Sequence, residues 1–237
     1  MNYQKIKKLL CIGIFGAFLT LIGDMLIGYI QFPDGVSMAE GYFAAALAMP
    51  VWRPILGGLI GCLGICLEVP ALLTIYPLIK EAMPKSAEFY RLSIYIYLAL
   101  GGGAVHLPCG VFMWLYHTVT EKAGQNTGHE IAVQYLLYFL IPVSAIFMLF
   151  FLGANLIQFI AFFSGKTSFT KWYCVFNLLI GQILFNSVRM IGNYAITNGI
   201  GTSNKSLGAI IMFTAFLIGF RKYVFDSEKR GYHESDL

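Results

Sequence analysis

The sequence predicts an all-α, polytopic membrane helix bundle: six transmembrane helices, with a short interfacial or re-entrant helix after the first. Three observations carry this. Hydrophobic residues make up 58% of the chain and charged residues only 12%, where a soluble domain carries about 25% charged residues. Six apolar runs, 9–30, 53–79, 92–116, 131–163, 172–196 and 207–225, each reach the length of about 20 residues that a helix needs to cross the hydrocarbon core. The runs are continuous, whereas a membrane β-barrel shows short alternating segments.

The elements follow in order. Lys5, Lys7 and Lys8 precede the first run. No small-x-small cleavage pattern follows, so the run reads as a retained first span and not as a signal peptide. Ser37-Met38-Ala39-Glu40 is a capping box, in which the serine accepts from a backbone N–H and the glutamate reaches back. It predicts a helix over Met38–Ala48 that stops near Pro50 and is too short to cross. Run two carries Gly57, Gly58, Gly61 and Gly64. Gly57-x-x-x-Gly61 is the small-residue spacing that lets membrane helices approach closely.

Run three contains Gly101, Gly102 and Gly103 inside an apolar helix. Without a preceding strand or a GK[ST] sequence this is no phosphate loop. Run four is too long for one straight crossing and is expected to tilt or to kink at Pro142. The charged tail, 226–237, is expected to fray. The whole chain reads as a single transmembrane domain. A faint echo between 21–29 and 151–159 hints at an inverted repeat of the kind found in transporters.

Charge sets the orientation, because Lys and Arg resist translocation. With six spans and both termini in the cytoplasm, twelve basic residues lie inside and four outside: Arg53, Lys122, Arg189 and Lys205. The net charge of +4 thus reflects topology. The basic residues are dispersed, so no nucleic-acid partner is expected. Cys62 and Cys66 share a helix face but form no CxxC pair, and read as small packing residues.

Candidate chemistry lies in the ionisable residues within the runs. Asp24 lies about 9 Å from the outer end of span one, at 1.5 Å per residue, and Arg189 lies at a similar depth in span five. His106 and Glu68 lie near the middles of spans three and two. Unpaired charge in a bilayer is costly, so Asp24 is expected either to pair with Arg53 or Arg189, or to be protonated. Gln182, Asn186, Arg189 and Asn193 step by four, three and four along span five. That is one helical stripe, expected to face the bundle interior. Asn155 and Gln158 mark a shorter polar face on span four.

These groups suggest a polar pocket open to the outer side. His106, Asp24 and Glu68 are its candidates for proton chemistry, and Arg53, Asn186, Arg189, Gln182 and Asn193 for ligand binding. A zinc site of Asp24, Glu68 and His106 is conceivable by ligand type, but a single deep histidine argues for no metal. The function expected is the binding, and the processing, of an amphiphilic or anionic small molecule. The alternatives are a small secondary transporter and a structural or accessory subunit. The partners expected are the lipid bilayer of a bacterial plasma membrane and that small molecule. Under the carrier reading, six spans and 237 residues suit a homodimer or a small carrier.

In size, hydropathy and an early Gly23-Asp24 pair, the chain resembles bacterial six-span integral membrane families of unknown function. The same pair is similar to the Gly-Asp of the lysoplasmalogenase membrane family. That resemblance implies a lipid-cleaving enzyme. It carries no catalytic residue across, because this chain has fewer spans and no match to that family's other acidic residues.

Overall fold

A computed structural model describes residues 3–234, with side chains over residues 3–223. Among the described residues the chain is helical and has no strand. Five helices are long and apolar enough to cross a membrane: Tyr3–Gly28, Trp52–Leu73, Pro84–Ala123, Gln125–Phe163 and Asn204–Tyr223. Large apolar side chains stand exposed on them, among them Phe15, Leu63, Leu149 and Phe163. Helices apolar on their outward faces suit lipid as the surrounding solvent.

Glycine sets the packing of α1 (Tyr3–Gly28) on α3 (Trp52–Ala82). A Cβ on Gly16 would overlap the backbone of Gly64, and one on Gly23 would overlap Gly57 and Gly61. The backbones therefore touch, as the small-residue spacing predicts. Between these helices α2 (Met38–Ala48) forms as expected, with both halves of the Ser37–Glu40 capping box present.

Two long rods change helix type midway. The first is α4 (Pro84–Ile96), a π-helical segment (Tyr97–His106) and α5 (Leu107–Ala123). The second is α6 (Gln125–Tyr135), a shorter π segment (Leu136–Leu140) and α7 (Ile141–Phe163). Each π segment ends two residues before a proline, Pro108 or Pro142. A proline ring crowds the carbonyl four residues earlier and donates no hydrogen bond. Widening the turn relieves that crowding, so the bend expected at Pro142 takes this form. Pro70 and Pro77 lie inside α3 without any change of helix type, so proline alone does not dictate it.

The fifth apolar run corrects the sequence reading. It is not one helix. A 3₁₀ turn (Lys171–Val175) leads to α8 (Leu178–Asn186), a second 3₁₀ turn (Ser187–Ile191) and α9 (Ala195–Thr202). Asn177 starts α8 afresh by accepting from the backbone N–H of Leu179 at 3.0 Å, the role of an N-cap. The apolar helical piece Leu178–Ile191 is too short to count with the five. The last helix, α10, runs Asn204–Glu234, so most of the tail expected to fray is helical. Residues 235–237 lie outside the described residues.

The bundle has two ends: a near end where α1 begins and a far end where it stops. A large apolar core fills the near end, built from residues such as Leu10, Leu78, Phe162, Phe169, Phe216 and Phe220. A smaller one at the far end holds Ile27, Phe32, Ala46, Phe112, Met113 and Tyr116. Along α1, the buried Thr20 and Asp24 fall between the two.

Candidate functional site: a polar cluster beneath an apolar groove

Four elements bring polar side chains into the gap between the cores. Thr20 and Asp24 lie one turn apart on α1. Glu68 continues the α3 stripe of Gly57, Gly61 and Gly64, with steps of four, three and four. Tyr97 and His106 bracket the long π segment, and Lys205 and Ser206 occupy the first turn of α10.

The π segment explains how Tyr97 and His106 act together. Nine residues of α-helix make two and a half turns, which would put the two side chains on opposite faces. A π-helix closes its hydrogen bonds one residue further on and takes about 4.4 residues per turn, so nine residues make about two full turns. Both side chains then face α3. Tyr97 reaches Glu68 and His106 reaches Gly57, while Gly102 packs on Cys62 between them. A Cβ on Gly61 would overlap the His106 ring, so this glycine opens the seat for the imidazole.

The cluster has two linked halves. Glu68 is fully buried. It accepts from Thr20 Oγ1 at 2.7 Å and from Tyr97 OH at 2.6 Å, and both its oxygens lie 3.2 Å from Lys205 Nζ. Lys205 also donates to Tyr97 OH at 2.6 Å. This is a buried carboxylate with a counter-cation and filled lone pairs, the condition under which a buried ion pair is tolerated. Asp24 accepts from Ser206 Oγ at 2.8 Å and lies 3.5 Å from His106 Nδ1. It also sits beside the N-terminus of α10, where the helix dipole favours an anion.

These contacts revise the expected pairing. Arg53 does not meet Asp24. Its Nε donates to Leu26 O at 2.7 Å and its Nη2 to Tyr29 O at 2.6 Å, satisfying carbonyls at the end of α1. Arg189 does not meet Asp24 either, and reaches Thr202 Oγ1 at 2.9 Å and Tyr42 OH at 3.5 Å. The partners that sequence reasoning missed are Lys205, counted as an outer-loop cation, and Tyr97, Thr20 and Ser206. Lys205 lies two residues before an apolar run and beside a serine, the one available hint.

The expected stripe on span five does not survive the break in that run. Asn186 is exposed, and Gln182 is half-buried. Asn193 instead holds the chain after α1, with its side chain bonded to both Phe32 N and Phe32 O. Asn198 supports it and donates to Ile30 O. On α7, Asn155 Oδ1 accepts from Leu179 N and Gln158 donates to Phe176 O. These amides satisfy backbone groups that the broken helix leaves open. Among the described residues no three His, Cys, Asp or Glu side chains gather as a metal-ligand set.

Above the cluster, toward the far end, lies an apolar groove of about 350 Å³ beneath α2. Its walls include Ile27, Tyr42, Phe43, Cys109, Met113 and Thr202. Two of these residues lie one helical turn from the cluster, Ile27 from Asp24 and Cys109 from His106, and Thr202 ends α9 just before the first turn of α10. Ile27 and Cys109 thus place the groove next to the Asp24–His106 half. At one end Tyr42 OH, Thr202 Oγ1 and the Arg189 guanidinium meet. Arg189 Nε is buried without a hydrogen-bond partner, and among the described residues no carboxylate pairs with this guanidinium.

The chemistry of the set limits what it does. In a serine nucleophile triad the imidazole stands between serine and carboxylate. Here the carboxylate stands between Ser206 and His106, so Ser206 has no imidazole base. His106 Nε2 faces the backbone carbonyl Gly57 O at 3.4 Å.

No curated protein and no solved structure matches the chain. A family model does, over residues 1–223. With that match covering all five long apolar helices, the chain belongs to DUF6796, a family of unknown function.

Proposed function

We propose that the protein crosses a bacterial plasma membrane six times, with both termini in the cytoplasm, and binds an anionic amphiphile in the groove beneath α2. The observation that carries this reading is the groove itself: apolar walls for a hydrocarbon chain, and, bonded to Tyr42 and Thr202 of those walls, a guanidinium that no carboxylate answers among the described residues. Ligand sites combine a largely apolar lining with a few placed polar groups, and guanidinium groups bind carboxylate and phosphate in two-pronged fashion. The sixth crossing is the broken segment. It starts at Phe169, packed on Phe216 and Phe220, and ends where Arg189 meets Thr202, so it follows α10 from near end to far end. Moving Lys205 from loop to interior also removes a basic residue from the expected outer side, in keeping with the positive-inside rule.

Two features favour binding over hydrolysis. His106 Nε2 lies against the backbone carbonyl of Gly57, and Ser206 donates to Asp24 and not to an imidazole. A carrier for the same ligand is the second reading, favoured by the ion set directly beneath the groove, since ionisable groups inside membranes mark transport and proton pathways.

The test uses the full chain in lipid nanodiscs, with a fluorescent anionic fatty-acid probe and its neutral monoacylglycerol counterpart. Met113→Trp fills the groove and should abolish binding of both probes. Arg189→Gln should weaken the anionic probe by about tenfold or more, on the order of one charged hydrogen bond, and leave the neutral probe unchanged. Undiminished binding in the Met113→Trp protein would overturn the reading.

A further inference from the structure

Amphiphile binding uses the groove and Arg189 and leaves the ions beneath unexplained. Their arithmetic is uneven. The cluster holds two carboxylates and one ammonium. Lys205 lies equally close to both oxygens of Glu68 and answers that charge. Asp24 remains. The titratable and charged groups facing it are Glu68 from α3, Tyr97 and His106 from the π segment, Cys109 from α5 and Lys205 from α10, with Ser206 as a neutral donor. His106 is the one group among them still free to balance it.

The ring of His106 shows where the balance comes from. Its Nε2 faces a backbone carbonyl, Gly57 O, at 3.4 Å, and its Nδ1 faces Asp24 Oδ1 at 3.5 Å. A carbonyl oxygen only accepts, and so does an ionised carboxylate, while a neutral imidazole has one N–H. Both nitrogens face acceptors, so one hydrogen is missing from the neutral description. A proton between Nδ1 and Oδ1 supplies it.

We propose that Asp24 and His106 form a single-proton binding site, reached through the groove. Binding adds one proton from water to the pair, as an O–H on Asp24 or a second N–H on His106. No other bond forms or breaks, and the cluster goes from one net negative charge to none. A purely structural carboxylate would carry a permanent cation, as Glu68 does. The path through the groove rests on the reading of that groove as open to ligand; the proton site itself does not.

The experiment uses ligand-free protein in nanodiscs with ¹⁵N-labelled histidine, with signals assigned by comparison with His106→Gln. Before base is added, the His106 ring should show hydrogen on both nitrogens, or a proton shared from Nδ1. Raising the pH should reveal a bare Nδ1 and release one proton per chain that neither Asp24→Asn nor His106→Gln releases. A bare Nδ1 throughout, or equal proton release from all three proteins, overturns the site. Should either single variant fold poorly, the double variant Asp24→Asn/His106→Gln, with a neutral cluster, should fold and still lack the released proton; its presence there overturns the site equally. Met113→Trp should slow proton exchange without changing the number of protons. An unchanged rate overturns the path alone, whatever the fate of the amphiphile reading.

Discussion

The two ends of the bundle solve the same packing problem differently. At the near end α10 meets aromatic rings. Phe162, Phe169, Tyr173 and Phe216 lie with centroids 4.8–6.4 Å apart, and Phe216 and Phe220 are buried. Toward the far end the same helix presents Lys205 and Ser206, and its neighbours are glycines, a π segment and a broken helix. Rings fill space and need no partners. Ions need counter-charges at set distances, and the backbone must bend to bring them. The longest irregular segment, the π helix from Tyr97 to His106, lies where the polar groups are, as expected when local rules yield to a site.

The sharpest way to break that contrast is to strip the ion pair. Lys205→Met leaves Glu68 buried and unanswered. Removing one partner of a buried pair costs about 3–5 kcal/mol, so thermal unfolding in detergent should shift strongly downward. The double variant Glu68→Leu/Lys205→Met should recover most of the loss. If the single variant unfolds like the parent, the cluster is not the far half's structural keystone.

A smaller effect is expected from the seat of the imidazole. Gly61→Ala pushes a Cβ into the His106 ring, and overpacking costs about 1–3 kcal/mol. The π segment should move off α3 and separate His106 from Asp24. Gly103→Ala is the matched control, because nothing lies within 4 Å of a Cβ there. Equal destabilisation by both would mean that the segment itself, and not the imidazole contact, is what alanine disturbs.

These two sites also show what the sequence made legible. Class, the helix at Met38–Ala48 and the close packing of the α3 glycine face follow from composition, capping and spacing, which are local signals; that α1 is the partner does not. Asp24, Glu68 and His106 were visible because ionisable residues stand out in apolar runs. Tyr97 was not, because a tyrosine in such a run looks like packing. Its alliance with His106 depends on a helix period that a 3.6-residue reading cannot anticipate, although Gly101, Gly102, Gly103 and Pro108 marked the place. The stripe on span five misled for the same reason in reverse: its spacing assumed a helix that stops at Asn186. Asn177, an N-cap within an apolar run, was the signal for the break.

Arg53 offers a milder test at the far end. Its two hydrogen bonds to Leu26 O and Tyr29 O close the end of α1, one turn beyond Asp24. Arg53→Gln should cost roughly 1 kcal/mol, the scale of a hydrogen bond's net contribution. Hydrogen exchange should quicken over the last turn of α1 and leave the near end unaffected. Exchange that quickens along all of α1 would show that the two ends are not independent.

The smallest effect is expected at the start of α2, the roof of the groove. Glu40 is held below the ordinary carboxylate range, first by the Ser37 backbone N–H and then by its side chain. A carboxyl lowered on folding stabilises the helix above its ordinary range and loses that contribution as pH falls through its depressed value. Amide exchange at Glu40 and Gly41 in the wild-type protein should therefore rise, relative to Glu40→Gln at the same pH, only under acidic conditions. Because the comparison is made at each pH, the intrinsic pH dependence of exchange cancels. Ser37→Ala removes the acceptor for the Glu40 N–H, which lies 3.3 Å from Ser37 Oγ, and should loosen the same amides at every pH. An acid-dependent rise that extends to the Asp24 turn of α1 would tie the roof to the ions below. A rise confined to α2 would leave the groove's cover and its floor as separate devices.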